Sequence, residues 1–235
     1  MHNSPVATAN PEVHENPALL HHFATEEQQK NAASLGMWIF LATEIMFFGG
    51  MFCAFLIYRY WYFGDFGAGS QSLSVALGGT NTAVLICSSL TVALAVRAAQ
   101  LGQQKLLVVC LILTIILGFA FLGIKGIEYH DKFVEHHVPG ASFYFPGNIP
   151  GHPDVPINQQ HAQIFFSLYF IMTGLHALHM IVGIGLFAVI TFLATRRRYG
   201  PKYYTPVEIA GLYWHFVDIV WIYLFPLLYL IDLHR

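Results

Sequence analysis

Charged residues are what this sequence has least of. Lys, Arg, Asp and Glu make up only 10% of its 235 residues, whereas a soluble domain carries about 25%. Together with 56% hydrophobic residues, this deficit excludes an ordinary soluble domain and predicts a membrane protein. The formal net charge of −2 also excludes the basic surface that nucleic-acid-binding proteins need, so no nucleic-acid partner is expected.

Cysteine is also scarce. Cys53, Cys87 and Cys110 each lie in an apolar run, and none has the paired spacing of a zinc or redox motif. We interpret all three as small buried hydrophobic residues, and we predict no metal site. The opening residues lack the basic region and short apolar core of a secretory signal. We therefore expect 1–32 to be a polar cytoplasmic segment, and the first apolar run to remain in the membrane.

Long apolar runs are what the sequence does contain. A hydrocarbon core of ~30 Å requires about 20 apolar residues in a helix. Five runs meet this length, and lipid requires each to be helical because no water is present to satisfy an open backbone. We therefore predict an all-α integral membrane bundle occupying 33–235, with spans at about 33–58, 75–96, 106–127, 162–194 and 207–233.

The basic residues predict the direction of insertion. With an odd number of spans the two termini face opposite sides, and Lys and Arg are in excess on the cytoplasmic face. The amino-terminal side has seven, against four on the other side, Arg59, Lys125, Lys132 and Arg235. We therefore predict a cytoplasmic amino terminus, a periplasmic carboxyl terminus, and a multi-pass protein of a bacterial-type inner membrane.

One connection is much longer than the others. The outer loop, at about 129–161, is rich in Pro, Gly and His, and a connection of this length is usually functional or mobile. Its histidines match no standard metal-ligand spacing. We interpret it as a capping loop with solvated histidines.

A few ionisable residues lie at membrane depth, where they are costly and tend to mark function. They are Glu44 in the first span, His176 and His179 in the fourth, and His215 and Asp218 in the fifth. Helical rise places Glu44 and Asp218 each ~16 Å from an inner end, so the groups form one polar layer if these spans are neighbours. Four interpretations remain open: haem ligation, a metal site, a proton relay, or polar pairs that fix the helices against each other. The residues alone favour the last.

Three segments carry a family resemblance. They are "LGMWIFLATEIMFFGGMFCAFLIYR", "TGLHALHMIVG" and "YWHFVDIVWIYLFPLLYL". They resemble the subunit III family of the haem-copper oxidases, with the cytochrome c oxidase members as the best match. The third span, ending "GIKGIEYHDKF", is similar too. The chain resembles the five-span short form of that family, although many members have seven spans.

The resemblance implies a role without a redox centre of its own. Family members carry no haem or copper, pack beside the catalytic subunit I and subunit II that hold them, and bind phospholipid. They support proton uptake and oxygen access in a complex that takes electrons from cytochrome c, reduces oxygen to water and pumps protons. The isolated chain is therefore expected to have no catalytic residues, while the complex is an oxidoreductase.

The resemblance also assigns residues. Glu44 matches a membrane carboxyl of the family, beside the matching His176, His179, His215 and Asp218. Further matches are Glu128, Tyr129, Glu208 and Trp214, and the family's basic residue at the inner end of the fourth span suggests lipid-headgroup binding by Arg196, Arg197 or Arg198.

Two alternatives stay open. One is subunit III of a quinol oxidase or of a nitric-oxide-reductase assembly, which a copper motif in the companion subunit II would distinguish. The other is an independent haem-binding or transport protein, which a pigment spectrum would reveal.

Overall fold

Five long helices build the molecule. The computed structural model describes residues 25–140, 142–201 and 203–230. The five are α1 (Glu26–Trp61), α3 (Val75–Gln100), α4 (Gln104–Val134), α5 (Gln159–Thr195) and α6 (Thr205–Phe225), and each is long and apolar enough to cross a membrane. The prediction of an all-α membrane bundle with five spans is confirmed for these residues.

Helix starts follow local sequence signals. The Thr25 hydroxyl accepts the backbone N–H of Gln28 at the start of α1, and Asn158 caps α5 in the same way. These caps satisfy backbone donors that the first helical turn leaves open. Pro206 stands in the first turn of α6, where its missing N–H has no cost.

Several boundaries and elements differ from the sequence prediction. Helix α1 begins about two turns before residue 33, and α4 continues about two turns past residue 127. A short helix α2 (Phe63–Gln71) follows α1, and a π-helical turn (Pro226–Leu230) follows α6. Residues 231–233, where we expected the fifth span to end, and most of the segment 1–32 lie outside the described residues.

Helices α3, α4, α5 and α6 form a four-helix core in which α3 packs on α4 and α6, and α5 packs on the same two helices. Helix α1 lies against α5 and α6, so the first, fourth and fifth spans are neighbours. Close approach depends on glycine where α5 meets α6, because a Cβ on Gly183 would lie 2.8 Å from the ring of Trp214.

The outer loop is more ordered than a solvated cap. It contains an antiparallel hairpin, β1 (Asn148–Ile149) and β2 (His152–Pro156). The Gln159 side chain bonds both backbone groups of Phe145, at 2.9 Å and 2.6 Å. These contacts hold the loop against the end of α5.

Two of the loop histidines correct our expectation of solvated side chains. His137 is buried beside the rings of Phe145 and Phe166. His161 pairs with Asp65 of α2 at 2.7 Å. His137 is thereby removed from water, whereas His161 keeps 27% of its side chain exposed. His130, His136 and His152 are exposed as expected.

The cysteine interpretation also needs correction. Cys110 is buried, but Cys53 and Cys87 are exposed on the outside of the bundle. An apolar run in a membrane helix contains lipid-facing positions as well as core positions, so apolar neighbours alone do not indicate burial in protein.

Candidate functional site

Glu44 of α1 and His179 of α5 form a pair inside the membrane-spanning region. Oε2 of Glu44 lies 3.3 Å from Nε2 of His179, and both side chains are mostly buried, with 19% and 16% of their surfaces exposed. Phe48 and Tyr213 place their rings against the imidazole. Of the two histidines that we expected as partners for Glu44, the structure therefore selects His179.

The two nitrogens of the His179 ring make different contacts. Its Nδ1 lies 2.9 Å from the carbonyl oxygen of Leu175. A carbonyl only accepts, so Nδ1 carries a proton and donates it. Nε2 faces Oε2 of Glu44 at 3.3 Å, but this contact does not have the geometry of a hydrogen bond. The pair is therefore a close approach of two polar groups on neighbouring helices.

His176 faces other neighbours, although it lies one turn away on the same helix. Its ring centroid is 5.3 Å from Phe121 of α4 and 5.2 Å from Trp221 of α6. It is 1% exposed, and neither ring nitrogen has a hydrogen-bond partner among the described residues.

His215 and Asp218 lie on the side of α6 that faces α3. Nδ1 of His215 is 2.7 Å from the hydroxyl of Ser89. Asp218 is buried, and its oxygens make no hydrogen bond by distance and angle.

The structure therefore separates the polar layer that we expected. Glu44 and His179 form one pair between α1 and α5, His176 lies in the four-helix core, and His215 with Asp218 face α3. Residues three apart on a helix point about 60° apart. In a bundle, this angle is enough to direct them toward different neighbouring helices.

A second polar group lies toward the end of the core that is nearer the outer loop. Lys125 and Glu128 of α4, Tyr169 of α5 and Tyr229 of the π-helical turn form what we call the polar clasp. The Lys125 ammonium donates to Oε2 of Glu128 at 3.1 Å and to the hydroxyls of Tyr169 and Tyr229 at 3.2 and 3.0 Å. Both tyrosine hydroxyls in turn donate to Oε1 of Glu128.

Sequence reasoning missed most of the clasp. We counted Lys125 among the basic residues of the outer side, but it is only 3% exposed and lies inside α4. The missed signal was the spacing of Lys125 and Glu128, three residues apart, which places opposite charges on one helix face. Without Lys125 the outer side has three basic residues instead of four, so the predicted direction of insertion is unchanged.

The other family-matched residues have separate surroundings. The Tyr129 hydroxyl is 2.6 Å from that of Thr173, and Trp214 donates to Ser88 of α3 at 3.0 Å. Glu208 lies in the first turn of α6, where the helix dipole favours a negative charge. These contacts join neighbouring helices or complete a helix end.

A cleft of about 840 Å³ opens between α1, α5 and α6 at the end of the bundle opposite the outer loop. Its polar lining includes Glu27, Lys30, Tyr203 and Tyr204, and its apolar lining includes Leu186, Val189 and Ile209. Arg196, Arg197 and Arg198 are exposed where α5 ends and do not line this cleft. Arg196 instead lies over the ring of Phe192.

Within residues 25–140, 142–201 and 203–230, no three His, Cys, Asp or Glu side chains come close enough together to hold a metal ion. Apart from His176, Asn81 and Asp218, which make no hydrogen bond among the described residues, the buried polar groups described above form pairs and small hydrogen-bonded clusters. Such groups can hold protons and fix helices against each other.

Comparison with known proteins identifies the family. The family model of cytochrome c oxidase subunit III matches residues 18–152 and 159–232. The chain is 33% identical over 205 residues to cytochrome c oxidase subunit 3 of Alkalihalophilus pseudofirmus, covering 83% of this chain and 85% of that protein. It is 32% identical over 204 residues to the Corynebacterium diphtheriae protein of that name, covering 86% and 89%. The Gallus gallus protein is 30% identical over 211 residues, covering 83% and 67%. The chain belongs to the cytochrome c oxidase subunit III family.

Proposed function

We propose that this chain is a non-catalytic core subunit of a proton-pumping terminal oxidase. It packs beside the catalytic subunit I and subunit II, which hold the haem and copper, and cytochrome c supplies electrons to the whole complex. Membership of the subunit III family carries this proposal. The contacts between Glu44 and His179 and within the polar clasp support a role in holding helices together.

The haem-binding alternative has little support from the histidines. Ligation of a haem by two histidines needs imidazoles that converge on one iron from facing helices. His176 and His179 come from the same helix and face different neighbours, while the Nδ1 of His215 is bonded to Ser89. The absorption spectrum of the complex with and without this chain tests the choice, since haem lost together with the chain contradicts our assignment.

The electron donor is a separate part of the proposal. Reduced cytochrome c should drive oxygen consumption by the purified complex, and subunit II should contain a copper site. Turnover with a quinol alone would instead place the chain in a quinol oxidase.

The inner cleft supports phospholipid binding. A lipid phosphate suits the ammonium of Lys30 and the hydroxyls of Tyr203 and Tyr204, and acyl chains suit the apolar wall formed by α5 and α6. We also propose that such a lipid helps the subunit to support proton uptake and oxygen access in the catalytic subunit.

The lipid can be tested by charge removal. Lys30→Gln should reduce the phospholipid that remains with the complex, as measured by extraction and mass spectrometry. Lys105→Gln removes a lysine of the inner side outside the cleft and serves as the matched control. Equal lipid content in wild type and both variants would contradict binding at this cleft.

A further inference from the structure

Besides Asp218, which lies beside Ser89 of α3, two polar side chains of the described four-helix core are buried without a hydrogen-bond partner. His176 is 1% exposed and Asn81 is 0% exposed. Both ring nitrogens of His176 and both amide atoms of Asn81 lack hydrogen bonds among the described residues. Other buried polar side chains of the same core, Ser88, Thr91 and Thr114, all have partners.

A different tautomer of His176 or a flipped amide of Asn81 would not supply the missing hydrogen bonds. A neutral imidazole has one N–H donor and one acceptor nitrogen, whichever tautomer it adopts. Turning the Asn81 amide exchanges its oxygen and nitrogen, and both positions lack partners. Buried polar groups in folded proteins are nearly always bonded to protein or to ordered water.

The two groups lie beside the same tryptophan. The His176 ring is 5.2 Å from the ring of Trp221. The Nε1–H of Trp221 donates to Thr82, the residue after Asn81, at 3.1 Å. Phe121 of α4 closes another side, 5.3 Å from His176. His176 and Asn81 thus lie at a similar depth, on helices that both pack against α6.

The polar clasp lies close by but has no donor to spare. Lys125 is 5.2 Å from the Trp221 ring centroid. Its ammonium has three N–H bonds, and Glu128, Tyr169 and Tyr229 accept them. Lys125 is therefore not their partner, and the two groups together call for a small molecule that both donates and accepts hydrogen bonds.

We infer that the core beside Trp221 holds internal water, hydrogen-bonded to the imidazole of His176 and to the amide of Asn81. Water can donate and accept, and buried water typically bonds about three otherwise unsatisfied groups. An acyl chain would leave all four atoms unpaired. A metal ion would need further ligands, which the described residues do not supply.

The inference goes beyond the proposed function, because it assigns a hydration site inside this chain. The water would also be able to exchange a proton with His176. The surrounding rings of Phe121 and Trp221 cannot do so.

X-ray hydroxyl-radical labelling tests for this water in the full chain, purified within its membrane complex. Radicals formed from bound water modify side chains next to it, and mass spectrometry locates the modification. Phe121 and Phe165 are equally buried, at 0% exposure, but Phe165 lies among the rings of Phe55, Phe66 and Phe166. We expect Phe121 to be modified several-fold more than Phe165. Equal modification of the two rings overturns the inference.

Apolar variants test the source of the labelling. His176→Phe with Asn81→Leu removes the groups that would hold the water, and labelling of Phe121 should fall to that of Phe165. Thr114→Val is the matched control, since it removes a paired hydroxyl of the same core and should leave the labelling unchanged. Persistent Phe121 labelling in the double variant overturns the inference. Should the double variant not assemble, the wild-type comparison of the two phenylalanines decides the question alone.

Discussion

Lys125 and Glu128 are each held by several partners, whereas Glu44 and His179 depend mainly on each other. In the polar clasp, every N–H of the ammonium and both carboxylate oxygens are bonded. In the Glu44 pair, a single contact of 3.3 Å joins α1 to α5. Because an unpaired charge is costly in a membrane, the two pairs should respond differently to the loss of one member.

Glu44→Gln should preserve assembly. A glutamine amide can still donate a hydrogen bond to Nε2 of His179, and it removes only titration. Glu44→Ala leaves the imidazole without this partner, at a cost of ~0.6 kcal/mol for an average membrane hydrogen bond and up to ~3 kcal/mol if nothing replaces it. We therefore expect the chain carrying Glu44→Ala to dissociate from the oxidase complex in detergent, as measured by gel filtration.

Oxygen consumption and proton pumping of the same variants distinguish a structural role from a proton relay. A structural role predicts normal turnover and pumping for Glu44→Gln. A glutamine variant that assembles fully, keeps its lipid and pumps fewer protons would show that the titration of Glu44 is needed.

Lys125→Met should destabilise the chain more than the double change Lys125→Met with Glu128→Met. Removing one partner of a buried ion pair leaves an unpaired charge, which typically costs about 3–5 kcal/mol, whereas an apolar replacement of both is often nearly neutral. Thermal unfolding of the chain in detergent measures both. A double variant as unstable as the single one would contradict this, and would show that the hydrogen bonds of the clasp stabilise the chain beyond the cost of an unpaired charge.

At the scale of helices, contact distance limits which side chains are tolerated. Gly183→Ala places a methyl group 2.8 Å and 2.9 Å from ring atoms of Trp214 and 3.1 Å from Tyr213. Such overpacking usually costs about 1–3 kcal/mol. We expect a lower unfolding temperature for this variant. Gly185→Ala is the matched control on the same helix, because its added methyl meets nothing within 4 Å.

The outer loop should open as the pH falls. Burial and the charge of Lys132 lower the pKa of His137 below its usual 6.5, although Glu135, 3.0 Å away, acts in the other direction. Burial acts to raise the pKa of Glu135, but the hydrogen bond and charge of Lys132 outweigh it, so that this pKa falls below 4.5. Both shifts are downward on folding, so their stabilisation is present above the unfolded pKa and lost as pH falls.

Hydrogen exchange of the His137 amide, which donates to the Lys132 carbonyl, measures this opening. After correction for intrinsic rates, exchange should accelerate from pH about 7 to about 5, and this change should disappear in His137→Phe. The remaining titratable neighbours are Lys132, Glu135 and His136. His152→Asn, at an exposed histidine, should behave as wild type. An unchanged profile in His137→Phe would assign the effect to another group.

The sequence predicted the five long helices because each must supply about 20 apolar residues. It did not predict α2, the hairpin or the π-helical turn, because these depend on tertiary contacts. Ser70 of α2, for example, donates to the Leu228 carbonyl at 2.6 Å. At the candidate site, depth along each helix was predictable from rise, but the partner of each side chain was not. Which of His176 and His179 faces Glu44 depends on how α5 is turned about its own axis relative to α1, and the sequence does not give that angle.

For the whole molecule, the direction of insertion remains a prediction. Ser142→Cys, in an exposed part of the outer loop, should react with an impermeant thiol reagent added to whole cells. Gln103→Cys, at the opposite end of the helices, should react only in inverted vesicles. Both belong in a background without Cys53, Cys87 and Cys110. Labelling with the opposite sidedness would reverse the assigned topology.

The end of the last helix has a consequence for how the chain tolerates changes in length. A π-helical turn accommodates more residues than an α-helical turn, and this extra length sets the direction in which Tyr229 projects. Removing one of the three residues of this turn that precede Tyr229 would rotate Tyr229 by ~100° about the helix axis. Tyr229 would then point away from Lys125 and Glu128, although no residue of the polar clasp had been substituted. The number of residues in this turn therefore sets the rotation of Tyr229 about the helix axis, so an insertion or deletion there should be as damaging as a substitution in the clasp.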